Sequence, residues 1–178
     1  MGKIQDKKIL MIVAPDKFRD EEFSHPREIF LKEGADVTIA SNSLGEAKGM
    51  FGARACVDKL ISKINYNDYD CIVITGGSGS PEYLWDDKNL ITLISDACKN
   101  GILVAAICLS GVVLARAGIL KGIEATVYRT AESMEEYSKH GVKYTQKSIV
   151  KSGRIITADG PAAAREFGNT IVDNLTVI

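Results

Sequence analysis

Short, mostly apolar runs alternate with helical patterns along nearly the whole chain, and that alternation leaves few folds open. Ile9–Ala14, Val37–Ala40, Cys71–Thr75 and Leu103–Ile107 read as strands. Two of the intervals between them carry helical signals. A polar loop after Ala14 leads into a helix that ends near Glu33-Gly34, and Leu90, Leu93, Ile94, Ala97 and Cys98 fall at i, i+3, i+4, i+7 and i+8, one apolar helix face. Strands apolar on both sides need cover on both faces, which predicts an α/β chain built on a mainly parallel sheet.

The remaining elements continue the pattern. Pro81 starts a helix with Glu82 in its first turn, and Ser110–Ala117 forms another, closed by Gly118. Ala131–His140 has acidic residues early and Lys139 and His140 late, the order that suits a helix dipole. Tyr144–Val150 and Arg154–Ala158 read as strands joined at Lys151–Gly153, and Phe167, Ile171 and Leu175 mark a last helix. No repeat, linker or low-complexity tract interrupts residues 1–178, which are expected to form one domain.

In such sheets chemistry collects beyond the carboxyl ends of the strands. The exit after Ile107 is the most informative: Ala105-Ala-Ile-Cys108-Leu-Ser-Gly111 passes from a strand through one cysteine directly into a helix. That elbow aims backbone N–H groups at the Cys108 side chain, which is expected to favour the thiolate. Gly111 lets the helix pack close behind the turn. Cys56, Cys71 and Cys98 have no comparable setting, and no C-x-x-C pair suggests zinc or thioredoxin chemistry.

The exit after Thr75 is Gly76-Gly-Ser-Gly-Ser-Pro81. It lacks both the third glycine of a dinucleotide fingerprint and a G-K-[ST] phosphate loop, so it reads as an anion-binding turn whose N–H faces the elbow. The exit after Ala14 is a charge run, Asp16 to Glu22, most of which belongs in solvent. One carboxylate turned back to the sheet edge would be a proton donor with a raised pKa.

Composition narrows the chemistry. With 22 Lys+Arg against 23 Asp+Glu, the chain has no basic footprint for nucleic acid or an anionic membrane. It has two histidines, His25 and His140, too few for a histidine-rich metal site. No metal or cofactor is expected. The lack of a signal peptide or a long apolar span, together with unpaired thiols, predicts a cytoplasmic setting.

The ordered set of Phe18–Pro26, Leu31–Val37, Val73–Gly77 with Pro81-Glu82, Ala105–Cys108, Ala117–Gly122 and Ile156–Pro161 resembles the ThiJ/PfpI superfamily, the DJ-one group. The resemblance spans nearly the whole chain and implies a flavodoxin-like three-layer sandwich with a nucleophile elbow. It implies that Cys108 is the elbow cysteine and Glu22 the carboxylate bonded to its sulfur. Gly77 and Leu109 would supply N–H donors, and Tyr128 would stand beside the cysteine. Glu82 would match the acid that, in the peptidase-like branch, orients a catalytic histidine across a subunit interface, and the resemblance separately implies a homodimer or larger assembly.

This chain departs from the peptidase-like members at the elbow. They resemble Ala-Ile-Cys-His-Gly-Pro, and here Leu109 follows the cysteine. A Cys–His dyad needs an imidazole within reach of sulfur, which disfavours peptidase and amidotransferase chemistry unless His25 reaches Cys108. The expected function is therefore cofactor-free glyoxalase or deglycase action on small dicarbonyls by Cys108 and Glu22. The alternative is a non-enzymatic oxidative-stress sensor or chaperone that responds to an oxidant through Cys108. Leu109, Val112 and Val113 suggest a small apolar pocket.

Overall fold

A computed structural model of the chain describes residues 1–177. In chain order its first elements are β1 (Lys8–Ile12), β2 (Asp16–Phe18), α1 (Asp20–Lys32), β3 (Asp36–Ser41), β4 (Gly45–Gly49), β5 (Arg54–Val57) and β6 (Lys59–Leu60). The middle of the chain forms β7 (Cys71–Ile74), α2 (Gly79–Tyr83), α3 (Lys88–Lys99), β8 (Leu103–Ile107) and α4 (Gly111–Arg116). The last elements are β9 (Glu124–Ala125), α5 (Ala131–Lys139), β10 (Lys143–Tyr144), β11 (Ile149–Ser152), β12 (Ile155–Ala158) and α6 (Ala164–Leu175).

Seven strands form the central sheet in the order β11-β12-β8-β7-β1-β3-β6, and every pair is parallel except β11 with β12. Both faces are covered. Ile9 and Met11 of β1 point into a layer with Phe23 and Phe30 of α1 and Phe167 and Ile171 of α6. Leu10 and Ile12 point the other way, toward Leu90 and Ile94 of α3 and Val112 of α4. This is the flavodoxin-like three-layer sandwich, and it follows from strands that bury both of their faces.

Local signals set the helix ends. Asp87 caps α3 by accepting from the Leu90 N–H at 3.0 Å, and Leu90, Leu93, Ile94 and Ala97 are its buried stripe. Each such Leu or Ile contributes about 1.5–3 kcal/mol by leaving water. The chain crosses from β3 and β6 on one side of β1 to β7 and β8 on the other. The carboxyl ends of β1, β7 and β8 therefore meet at a switch in strand order, where a crevice forms.

Three details differ from the sequence expectation. Tyr144–Val150 is not one strand: Lys143 and Tyr144 pair with β9, whereas Ile149 begins the β11–β12 hairpin. The polar Gln146-Lys-Ser148 stretch between them carries the chain from one sheet to the other. The hairpin turn is Gly153-Arg154, since Lys151 and Ser152 are still paired. Finally, α2 begins at Gly79, two residues before Pro81, and α3 is a separate helix. A second, three-stranded sheet, β2-β4-β5, lies outside the regular alternation.

Candidate active site

Cys108 follows β8 at φ 61°, a left-handed conformation that costs a non-glycine residue energy and that marks a sharp strand-to-helix elbow. Cys108 has beside it the backbone N–H groups of Gly77 and Leu109, which favour the thiolate. Its carbonyl accepts from the Tyr128 N–H at 3.2 Å, which fastens the segment after β9 to the elbow.

Glu22 lies in the first turn of α1 and is wholly buried. Pro26, four residues on, has no N–H to give the Glu22 carbonyl, so α1 lacks that turn's backbone bond. The Gly76 N–H donates to Glu22 Oε2 at 3.0 Å. Oε1 has no hydrogen-bond partner, and the thiol coupled to this carboxyl is that of Cys108. Gly76 must be glycine here: a Cβ would lie 2.4 Å from Glu22 Oε2 and 2.6 Å from Cys108 Cβ.

Burial raises the Glu22 carboxyl to about 8, against the opposing pull of Cys108, the Gly76 N–H and Arg19. Burial also pushes the Cys108 thiol up, and Glu22 adds to this, outweighing the Gly77 and Leu109 N–H groups. The elbow alone predicts a favoured thiolate. The structure corrects that expectation, because both groups share one dry site and compete for one negative charge.

Cys108 and Glu22 open onto a cleft of about 380 Å³ that also includes Gly77, Leu109 and Tyr128. Four of the five residues assigned around Cys108, namely Glu22, Gly77, Leu109 and Tyr128, thus come together with it. Glu82 does not line this cleft. It is exposed on α2, with Lys17 Nζ 3.4 Å from its carboxylate. Val112 and Val113 are buried behind the elbow against the sheet, so Leu109 is the apolar residue of that group that reaches the cleft.

The histidines stand elsewhere. His25 is half-buried on α1, outside the cleft lining. His140 caps α5, its Nδ1 2.9 Å from the Glu136 carbonyl oxygen. Of the other cysteines, Cys71 is buried in β7 with its thiol pushed up by burial, Cys98 is half-buried, and Cys56 is exposed on β5.

Sequence reasoning missed Arg19, Met50, Ser78 and Pro161 as cleft residues. Met50 sits at the β4–β5 tip, which Asp20 pins to α1 by accepting from the Phe51 and Ala53 N–H groups at 3.1 and 2.9 Å. Arg19 precedes α1 in extended conformation, so no helical spacing relates it to Glu22 and nothing in the charge run marks it out. Among the described residues no cluster of three or more His, Cys, Asp or Glu could hold a metal ion, and no helix is long and apolar enough to cross a membrane.

A doubly covered α/β sheet with an elbow cysteine against a buried glutamate defines a flavodoxin-like domain of the nucleophile-elbow type. Residues 7–174 match the DJ-1/PfpI family, and the chain belongs to that family. It is 47% identical over 165 residues to Uncharacterized protein MJ0967 of Methanocaldococcus jannaschii, covering 93% of this chain and 80% of that one. It is 30% identical over 169 residues to Glutathione-independent glyoxalase DJR-1.2 of Caenorhabditis elegans, covering 95% and 89%. Protein/nucleic acid deglycase 2 of Escherichia coli is 30% identical over 167 residues, covering 90% and 95%. The crystal structure of a ThiJ/PfpI domain protein from Brachyspira murdochii superposes with a TM-score of 0.92 at 29% identity, covering 98% and 99%.

Proposed function

We propose that this protein converts small reactive dicarbonyls, or their early adducts with amines, by cofactor-free glyoxalase or deglycase chemistry. The observation that carries the proposal is the buried Glu22 carboxyl, held at Oε2 by the Gly76 N–H, unpartnered at Oε1 and coupled to Cys108. The names of the Caenorhabditis elegans and Escherichia coli relatives support the same class.

Cys108 sulfur adds to the aldehyde carbon, and the thiol proton passes through Glu22 to the carbonyl oxygen, giving a hemithioacetal. The Gly77 and Leu109 N–H groups face the charge that develops on that oxygen. Glu22 then moves the proton of the former aldehyde carbon to the neighbouring carbonyl carbon. One carbon is oxidised and the next reduced, so no external electron carrier is needed. Water releases the resulting thioester as a 2-hydroxy acid and restores the thiol.

Incubation with methylglyoxal tests this directly. Wild type yields lactate, and Cys108→Ala and Glu22→Ala yield none. Equal consumption by all three proteins overturns the proposal. A peptidase route lacks its base, because neither histidine lines the cleft.

The same geometry favours a second function, oxidation sensing. A Cys108 sulfinate would accept from the Gly77 and Leu109 N–H groups and from protonated Glu22. Limited peroxide should add two oxygen atoms at Cys108 alone, and equal oxidation of exposed Cys56 counts against this use.

A further inference from the structure

Arg19 is the one cation among the described residues that line the cleft, and the dicarbonyl chemistry above gives it no task. Its guanidinium is held on two sides. Nε donates to Glu21 at 2.7 Å and Nη2 at 3.4 Å, and the Phe51 ring lies 4.8 Å from its centre. Its Nη1 edge has no protein acceptor among the described residues. The backbone is fixed as well, since the Arg19 N–H donates to the Gly76 carbonyl at 3.0 Å, on the same glycine that holds Glu22.

This geometry is that of a preorganised anion donor. A guanidinium already stacked and oriented loses little freedom when it binds a carboxylate, and such charge-assisted bonds are about twice as strong as neutral ones. The lining also includes Ser78, Met50, Leu109, Tyr128 and Pro161, none of which offers a carboxylate a second cation. A neutral dicarbonyl leaves the free guanidinium edge unused.

We propose that Arg19 is a specificity-determining residue that makes this cleft select carbonyl compounds bearing a carboxylate close to the aldehyde attacked by Cys108. The inference rests on Cys108 being a nucleophile open to the cleft, and it names the substrate class within that function. Addition follows the step above: sulfur bonds to the aldehyde carbon, the thiol proton ends on its oxygen, and the carboxylate stays ionised against Arg19.

Iodoacetate and iodoacetamide provide the test, because they carry the same alkylating carbon and differ in a carboxylate or an amide. Alkylation of Cys108 is followed by peptide mass spectrometry, with exposed Cys56 as the internal reference. The iodoacetate-to-iodoacetamide rate ratio is taken within each protein, so a general change in Cys108 reactivity cancels. Wild type should favour iodoacetate at Cys108 by about tenfold relative to Cys56. Arg19→Gln should bring that preference to about one, and Glu21→Gln, which frees the other guanidinium edge, should raise it. Glyoxylate should also protect Cys108 from iodoacetamide at lower concentration than methylglyoxal does, and Arg19→Gln should abolish the difference. An equal ratio in wild type and Arg19→Gln overturns the assignment. Failure of both reagents to modify Cys108 overturns it together with the proposed function, whereas a reactive, iodoacetate-preferring Cys108 that makes no lactate from methylglyoxal sinks the glyoxalase function alone.

Discussion

The Gly76 N–H donates to Oε2 of Glu22 at 3.0 Å, and this bond decides where the glutamate keeps its proton. An oxygen that accepts an amide hydrogen is the poorer site for a carboxyl hydrogen, so a protonated Glu22 carries its proton on Oε1. Oε1 is the atom that lacks a hydrogen-bond partner, and Cys108 is the thiol coupled to this carboxyl. The glycine loop thus leaves Oε1 to hold the single exchangeable proton of a carboxyl coupled to Cys108. The two groups behave as one titrating pair, with burial disfavouring charge on either.

That coupling predicts the pH profile of Cys108 alkylation. Below pH about 8 Glu22 is protonated, and wild type and Glu22→Gln should react with iodoacetamide at similar rates that rise with pH. Above it, each new Glu22 carboxylate suppresses the neighbouring thiolate, so the wild-type rate levels off. Glu22→Gln has no such charge, and its rate should keep rising, to about tenfold above wild type by roughly one to two pH units further on. Superimposable profiles would contradict the coupling.

Stability should respond with a definite sign. A buried acid whose folded pKa is raised, here from 4.5 to about 8, stabilises the fold fully below pH 4.5 relative to higher pH. That contribution is lost as pH rises through about 8 and then stays constant. Each pK unit corresponds to about 1.4 kcal/mol, so the loss amounts to a few kcal/mol. Urea unfolding at several pH values should show a downward slope across this window in wild type, and Glu22→Gln should flatten it.

Much of this site is legible in the chain because local chemistry marks it. Cys108 stands out at a strand exit with a helix behind it, and family resemblance picks Glu22 out of the acidic run. Arg19 is hidden in the same run because charge density carries no direction. Its orientation comes from Phe51, at the tip of a hairpin whose strands bury little more than Ala47, Ala55 and Val57. Such weakly apolar strands give no alternation to read. Glu82 stands out through the resemblance alone, and within this chain its carboxylate lies at the surface beside Lys17. The balance at Cys108 is only half legible, because backbone donors are visible in a motif whereas desolvation is set by the whole fold.

A buried hydroxyl chain should couple the two halves of the site. Ser110 donates to the Thr75 carbonyl at 2.7 Å, leaving its oxygen to accept from Ser80 at 2.8 Å. Ser110 belongs to the elbow turn, and Thr75 immediately precedes Gly76. Ser110→Ala strands both the Thr75 carbonyl and the Ser80 hydroxyl, which should cost about 2–3 kcal/mol, whereas Ser80→Ala removes one donor and should cost about 1 kcal/mol. The double variant should be no less stable than Ser110→Ala by urea denaturation, because Ser80 has already lost its partner. Additive losses would mean the hydroxyls act independently.

Gly111 and Tyr137 provide the sharpest packing test. Gly111 opens α4 with helical backbone angles, φ −55° and ψ −30°, so alanine fits the conformation. The obstacle is steric: a Cβ would lie 2.4 Å from the Tyr137 hydroxyl, which donates to the Thr126 carbonyl at 2.7 Å. Thr126 lies two residues before Tyr128, so displacing that hydroxyl disturbs the cleft wall as well as the core. Gly111→Ala should lose about 1–3 kcal/mol through overpacking. Tyr137→Phe should lose about 1 kcal/mol with its hydrogen bond. The combined variant removes the clashing oxygen and retains the helix preference of alanine over glycine, worth about 1 kcal/mol. It should therefore be more stable than Gly111→Ala alone, a reversal that thermal unfolding detects directly. If Tyr137→Phe instead adds its full loss on top of Gly111→Ala, the close approach of these residues does not limit the position.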